Sequence, residues 1–522
     1  MSISARIVGR CPKAVHAALL AAALLPLACA RPPQRPNVLL IVVDTLRADH
    51  LSAYGYGRET SPRLADFAQG AARFTHAESP RAKTTPAVAS LLSGLYPHDH
   101  GVRDLAKRLE PDVPVLGEVF TKAGYRTVGI VGNYVLTDRR SGLARGFRQW
   151  TEDLPDVVGV PPHHAPQRRA ASMTDAALVA LGLEQPGPKD GPGPHLAGID
   201  PDAPWFCYLH YMDPHGAYDP PEEHRVFTAA EPDPIPREGE LPAHPIHRRN
   251  VADYNVPAEA VLADGRADAA RVRALYDAEI RYADAEIGRL LDRMEAAGQL
   301  ENTIVVVTAD HGESLGEHRY WFEHGFFAYE ATCRVPLLVR GPGVTPGVVD
   351  EDVSLVDVAP TLLRLCGLGE MPAPAGADPR SPRGVDRSRL LDGRGSGTPH
   401  PVFAEKIERQ DLSQTVQTKA VRVGEWKLIR RYTHLQPGGG AEREPLVLSE
   451  ELYDLASDPG ETRNLIEAAP ATAPLDRLRA ELVRFAEADV HFGDLAQMLQ
   501  RERERLEREE PDVVRILEAL GY

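Results

Sequence analysis

Three stretches of the 522-residue chain carry the residue types that chemistry needs. Asp44 closes NVLLIVVD. Asp310 and His311 close TIVVVTADH. A threonine pair sits in RAKTTPAVASLLSGLYP (81–97). Two carboxylates and an imidazole converging at a sheet edge form a donor set for a divalent cation with mainly oxygen ligands. Each Asp alone also has an ordinary reading, because an Asp after a strand commonly caps a helix or makes a turn. In the threonine stretch, Pro86 suits the first position of a helix, where its missing N–H costs nothing. Thr85 is then the expected N-cap, and Thr84 stands just before it, facing the helix end that favours anions. A hydroxyl beside a metal and such an end can ionise and attack phosphorus or sulfur. By itself, TTP reads more often as a capping motif.

These residues need strands that end in one place. NVLLIVVD (37–44) and TIVVVTAD (303–310) are continuous apolar runs, the pattern of strands buried on both faces. RTVGIVG (126–132) and WFCYLHYM (205–212) are further strand candidates. Between them, residues 270–298 place Val272, Leu275, Tyr276, Ile280, Ile287, Leu290, Leu291 and Met294 at helical spacing, with Gly298 as the stop. Strands alternating with helices predict an α/β fold, a doubly wound, mainly parallel sheet flanked by helices. In such sheets ligands bind beyond the carboxyl ends of the strands, where Asp44 and Asp310 lie.

The formal net charge of −16 argues against nucleic acid as a partner, since binding it needs a basic surface. Residues 1–29 read as a secretory leader: a basic start (Arg6, Arg10, Lys13), then an apolar run too short for a usual membrane span. Cys29 after Leu27-Ala28 resembles a bacterial lipoprotein site, a candidate lipid anchor; cleavage near Ala28 or an uncleaved anchor are the other readings. Each implies export to the cell envelope or periplasm. The remaining cysteines, Cys207, Cys333 and Cys366, sit in apolar settings and read as buried free thiols. The catalytic region is expected over 36–395. Residues 400–470 read as a small antiparallel sheet with a hairpin at Gly424-Glu425, and 471–522 as a helical tail. RERERLEREE reads as a solvated helix face. PGPKDGPGP (186–194) and 230–262 read as surface loops.

PNVLLIVVDTLRADHLSAYGYGRETSPRLADFA resembles the start of the sulfatase family, within the alkaline phosphatase superfamily. TTPAVASLLSGLYPHDHGV is similar to the family's active-site segment. GYRTVGIVGN, YLHYMDPHGAYDPP, TADHGESLGEH, FEHGFFAYEATCRVPLLVRGPG and SLVDVAPTLL follow in the family's order, and ELYDLASDPGETRNL is similar to its C-terminal subdomain. The resemblance implies one divalent metal, calcium by family habit, with Asp44, Thr84, Asp310 and His311 as ligands. The imidazole of His311 would also suit manganese or zinc. It implies Thr84 as nucleophile and His215 as proton donor to the leaving group.

The departures from the family pattern are specific. The usual C-x-P-S-R, whose cysteine or serine becomes formylglycine, is here Thr84, Pro86, Ala87 and Val88. Threonine cannot be oxidised to formylglycine, so none is expected. Phosphate-transferring relatives in the superfamily use threonine at this position. Asp44 is followed by Thr45, where the family often has a second acid. The lysine and histidine of G-K-W-H-L become Asn133 and Val135, and a later substrate-binding lysine is replaced by His324. Asn133 and His324 remain candidate contacts to an anionic oxygen, with a turn role and a packing role as their plainer readings. Glu313, His318, His98 and His100 read as supporting residues. The readings that follow are a metal-dependent sulfate or phosphate ester hydrolase, a phosphodiesterase or phosphonate monoester hydrolase, a phospho-headgroup transferase, and a non-catalytic metal-stabilised binding protein.

Overall fold

The computed structural model describes residues 35–105, 107–154, 167–185, 203–237, 256–375, 378–395, 399–411, 414–433, 446–489 and scattered positions within 501–508. The leader with Cys29, the 186–194 loop, the middle of 230–262 and most of the tail lie outside the described residues. Residues Pro36–Tyr522 cluster as one compact unit.

A mixed sheet forms the centre. Its strands are β1 (Asn37–Val43), β2 (Ala72–Glu78), β3 (Arg126–Val131), β4 (Gln149–Thr151), β5 (Trp205–Tyr211) and β6 (Thr303–Ala309). A short β7 (Ser314–Leu315) and β8 (Trp321–Glu323) pair separately. β9 (Arg334–Arg340), β10 (Gly347–Val349) and β11 (Val353–Ser354) complete the large sheet. The order is β10-β2-β9-β6-β1-β5-β3-β4, with β11 beside β2. β1 lies between β6 and β5 and runs parallel to both. Its run Val38 to Val43 is fully buried, each side chain contributing roughly 1.5–3 kcal/mol of burial. β9 runs antiparallel to β6 and β2. The apolar pattern of RVPLLVR carries no direction, because direction is set by the connection that leads into a strand.

The helices fall into two groups. α1 (Pro62–Gln69) and α4 (Ala170–Ala180) each pack on α5 (Ala269–Ala296); α2 (Thr84–Ser93), α3 (Leu116–Lys122) and α6 (Val358–Leu365) form the second group. α5 matches the predicted 270–298 span, and Asp268 caps it by accepting from Ala270 and Arg271 N–H. Gly298 follows with φ +67°, a left-handed stop that glycine adopts without strain.

β12 (Val402–Asp411), β13 (Gln414–Val423), β14 (Trp426–Thr433) and β15 (Leu446–Asp454) form the antiparallel C-terminal sheet, with the hairpin turn at Gly424-Glu425 as expected. α7 (Leu475–Glu487) covers it with Leu478, Leu482 and Phe485. Tyr96 and Val356, from outside this sheet, join the same apolar cluster, which seats it on the larger one. Cys207, Cys333 and Cys366 are buried free thiols. Among the described residues no helix is long and apolar enough to cross a membrane.

Candidate functional site

Register brings the acids together. Val43 of β1 aligns with Ala309 of β6 and with Tyr211 of β5, so Asp44 and Asp310 leave adjacent strands at the same level. Both are fully buried. His210, second from the end of β5, aligns with Val42. Ligand atoms of Asp44, His210 and Asp310 lie within 4.8 Å of one another. His210 was not among the residues singled out from sequence. Its signal was present: a polar residue near the carboxyl end of an apolar strand that flanks β1.

Burial and the Asp310 charge push the Asp44 carboxyl well above its usual range. Burial acts upward on Asp310 as well, but the neighbouring His311 and His210 outweigh it and hold it well below that range. Asp310 Oδ1 accepts the backbone N–H groups of His311 (2.8 Å) and Thr45 (3.3 Å). Thr45 meets it from a left-handed conformation, φ +56°, a strained state for a β-branched residue that costs about 1–3 kcal/mol. His311 Nδ1 lies 2.9 Å from Gly312 O, so that nitrogen carries the proton and Nε2 is the acceptor. Nε2 stands 3.6 Å from Asp310 Oδ2 and 3.8 Å from Asp44 Oδ1. Burial pushes this imidazole down to about 4.

The donor set fits a divalent cation. Asp44 Oδ1, Asp310 Oδ2 and both ring nitrogens of His210 are buried and accept or donate no hydrogen bond. Unpaired buried polar atoms are costly and rare, and a bound cation would satisfy these together. Two carboxylates with one or two imidazoles suit manganese or zinc as well as calcium.

Thr84 is brought to this cluster. Its hydroxyl donates to Asp44 Oδ2 at 3.5 Å and lies 3.4 Å from His311 Nε2. The capping expectation needs correction. Lys83, in extended conformation, is the N-cap of α2, and Thr84 is its first residue. The Ala87 N–H bonds to Lys83 O, which closes the first turn one residue pair earlier than the proline rule suggests. Pro86 still falls in that turn, where no amide partner is needed. Thr85 Oγ1 donates to Val135 O instead of capping.

Asn133 also turns to the acids: its Nδ2 donates to Asp44 Oδ2 at 2.8 Å while Oδ1 accepts from Val135 N–H. His324 is buried, its ring 4.3 Å from that of His311 and 5.3 Å from that of His215. His324 Nδ1 pairs with Glu313 Oε1 at 3.1 Å. Burial and His215 push His324 well down, and burial pushes Glu313 up to about 7. Tyr218 donates to the other Glu313 oxygen, so Glu313 is a support, as read from the sequence. His215 is partly exposed and holds Gly216 O with Nδ1 at 2.8 Å. Thr84, His311, His324 and His215 thus follow one another in contact from the buried acids outward. His318 stacks on Tyr329, away from this series. His98 and His100 pack inside, on Glu405 and Ser90 respectively.

A mostly parallel sheet with acids at its carboxyl edge, a hydroxyl on a helix start and an antiparallel C-terminal sheet make an alkaline-phosphatase-like fold. Residues 36–368 match the sulfatase family and 316–488 the C-terminal region of N-sulphoglucosamine sulphohydrolase; the chain belongs to the sulfatase family. It is 27% identical over 465 residues to choline-sulfatase of Rhizobium meliloti, covering 83% of each chain. It is 29% identical over 522 residues to arylsulfatase A of Bos taurus, covering 91% of this chain and 92% of the relative. The fold is similar to the crystal structure of phosphonate monoester hydrolase of Agrobacterium radiobacter, with TM-score 0.62, 23% identity, and coverage of 87% and 96%.

Proposed function

We propose that this sulfatase-family hydrolase is an exported, metal-dependent enzyme that cleaves a sulfate or phosphate ester through Thr84 and a covalent intermediate. The observation that carries the reading is the Thr84 hydroxyl at the start of α2, within hydrogen-bond reach of both Asp44 and His311. A divalent cation on Asp44, Asp310 and the flanking imidazoles would supply positive charge beside that hydroxyl.

Thr84 Oγ1 attacks the ester's central atom and passes its proton along the bond to Asp44 Oδ2. The new Oγ1 bond forms as the bond to the leaving alcohol breaks, and His215 protonates the departing oxygen. Asn133 holds Asp44, and Glu313 orients His324 beside the reacting group. A water then gives a proton to His215 and displaces Thr84, whose oxygen takes back the proton held on Asp44 Oδ2, and the inorganic product or monoester is released. A formylglycine hydrate sheds sulfate by elimination. A threonine ester lacks the second hydroxyl for that and needs this second displacement. The difference favours phosphorus over sulfur. Transfer to an acceptor other than water remains the same chemistry with a different second step.

The test is an assay of the mature protein with Ca²⁺, Mn²⁺ or Zn²⁺ supplied separately. Substrates are p-nitrophenyl sulfate, p-nitrophenyl phosphate, bis-p-nitrophenyl phosphate and a phenylphosphonate ester, with Thr84→Ala as control. Expected is metal-dependent turnover of the phosphorus esters, lost in the variant. Turnover of the sulfate alone overturns the preference for phosphorus. A metal-binding protein silent on all four leaves a narrow natural substrate or the non-catalytic reading, and a wider substrate screen separates the two.

A further inference from the structure

His215 stands on the segment Asp213–Asp219, which leaves β5 and runs past the buried acids. One side chain holds both ends of this segment. Arg169, the N-cap residue of α4, sets Nε 2.9 Å from Asp213 Oδ1, and its Nη2 donates to Asp219 O at 2.9 Å. The same Nη2 lies 3.5 Å from both oxygens of Glu279 on α5. Glu279 Oε1 accepts the Asp219 N–H at 2.8 Å, and Asp213 Oδ2 accepts the Ala170 N–H, at the start of α4, at 2.7 Å. Within the loop, the His215 N–H bonds to Met212 O. The guanidinium packs over the Tyr282 ring, whose hydroxyl accepts from Ala171 N–H.

Asp213 and Glu279 are 6% and 2% exposed. Two buried carboxylates against one arginine are an expensive way to join a loop to two helices, since desolvation opposes each charge. A few apolar contacts would anchor the backbone at lower cost, but they slide. A forked guanidinium on two carboxylates and a carbonyl fixes direction as well as position. Proton transfer to a leaving oxygen demands that kind of placement, because a small misplacement of the donor loses much of its effect.

We infer that Arg169 and Glu279, with Asp213, form a clamp that aims the His215 imidazole at the leaving group; they are positioning residues for the proton donor. The inference rests on His215 having that role. A clamp of this sort separates substrates by leaving group: p-nitrophenolate departs with little help, whereas phenolate needs the proton.

The first arm compares wild type, Arg169→Met, Glu279→Gln and His215→Ala on the p-nitrophenyl and phenyl esters of whichever acid wild type hydrolyses. Expected for Arg169→Met is a kcat/KM loss about tenfold larger on the phenyl ester, carried by kcat rather than KM. His215→Ala shows the same bias, and adding Arg169→Met to it costs nothing more. Equal losses on the two esters overturn the inference. The second arm needs no turnover: hydrogen exchange of the peptide spanning 211–219. Expected is faster exchange there in Arg169→Met with the rest of the sheet still protected; unchanged exchange overturns the clamp. A wild type inactive on every ester counts against the proposed function alone, and the exchange arm still decides the clamp. Arg169→Lys keeps the charge, loses the fork, and is expected to fall between the two.

Discussion

Two of the regions that bury carboxylates treat them in opposite ways. Beneath the C-terminal sheet, Lys427 Nζ reaches Glu330, Glu461 and Glu78 at 2.8, 3.2 and 3.5 Å. Arg422 joins Glu330 and Asp352, and Lys419 joins Glu405 and Asp489. Arg103, just after the α2 segment, pairs with Asp489. There the cations are part of the chain, and the network ties the small sheet to the large one. At the ends of β1 and β6, Asp44 and Asp310 meet imidazoles instead, and one oxygen of each has no hydrogen bond. A buried acid with a built-in lysine is a joint; a buried acid facing imidazoles and a hydroxyl has no fixed cation beside it, and one from outside would complete the set.

Four experiments break or sharpen that contrast, from the largest expected effect downward. Thr84→Ala is expected to cut kcat by about 10³-fold or more while leaving the unfolding midpoint in place, because the lost hydroxyl makes only two long contacts. A midpoint shift as large as the activity loss would make Thr84 a structural residue. Lys427→Met in the other region should do the reverse. Removing the cation from a buried network is expected to cost about 3–5 kcal/mol of stability, read by urea denaturation, with kcat per folded molecule unchanged.

Asp44→Asn tests the sign of the contrast. In the presence of chelator it relieves two buried carboxylates facing each other, so stability is expected to hold or rise. Added Ca²⁺, Mn²⁺ or Zn²⁺ should stabilise wild type, by about 2.7 kcal/mol at a hundredfold excess over Kd, and leave the variant unmoved. A loss in chelator like that of Lys427→Met would place Asp44 among the joints. The smallest effect is a pH slope. Burial, with Glu330 beside it and Lys427 opposing, pushes Glu78 up to about 8 from its usual 4.5. The folded state then holds a proton that the unfolded state releases. Stability from this group is full below about 4.5 and is lost as pH rises through 8. Denaturation midpoints should fall between about pH 4.5 and 8 and level off above that, less steeply in Glu78→Gln; identical slopes would contradict the shift.

Much of the fold was legible because the β1 and β6 runs are long, continuous and apolar, and the 270–298 periodicity survives intact as α5. The acids at the strand ends were legible for the same reason. His210 was not, because its place beside Asp44 depends on β5 being the neighbour of β1, and strand order is not written in either strand. The Thr85 cap failed because local turn chemistry competed with the packing of a wholly buried helix. Asn133 was readable as a polar group near the anion, yet its bond to Asp44 emerges only once β3 lies beyond β5. The clamp on His215 joins residue 169, the 213–219 segment and residue 279, three distant points that only the packing of α4 on α5 brings together.

The nucleophile is tested most directly by rapid acid quench during turnover, followed by mass spectrometry of the peptide containing Thr84. Expected is a phosphoryl or sulfuryl group on Thr84, absent from Thr84→Ala and from unreacted enzyme. Full turnover with no adduct on Thr84, at an equal rate in Thr84→Ala, would contradict it and leave water as the attacking group.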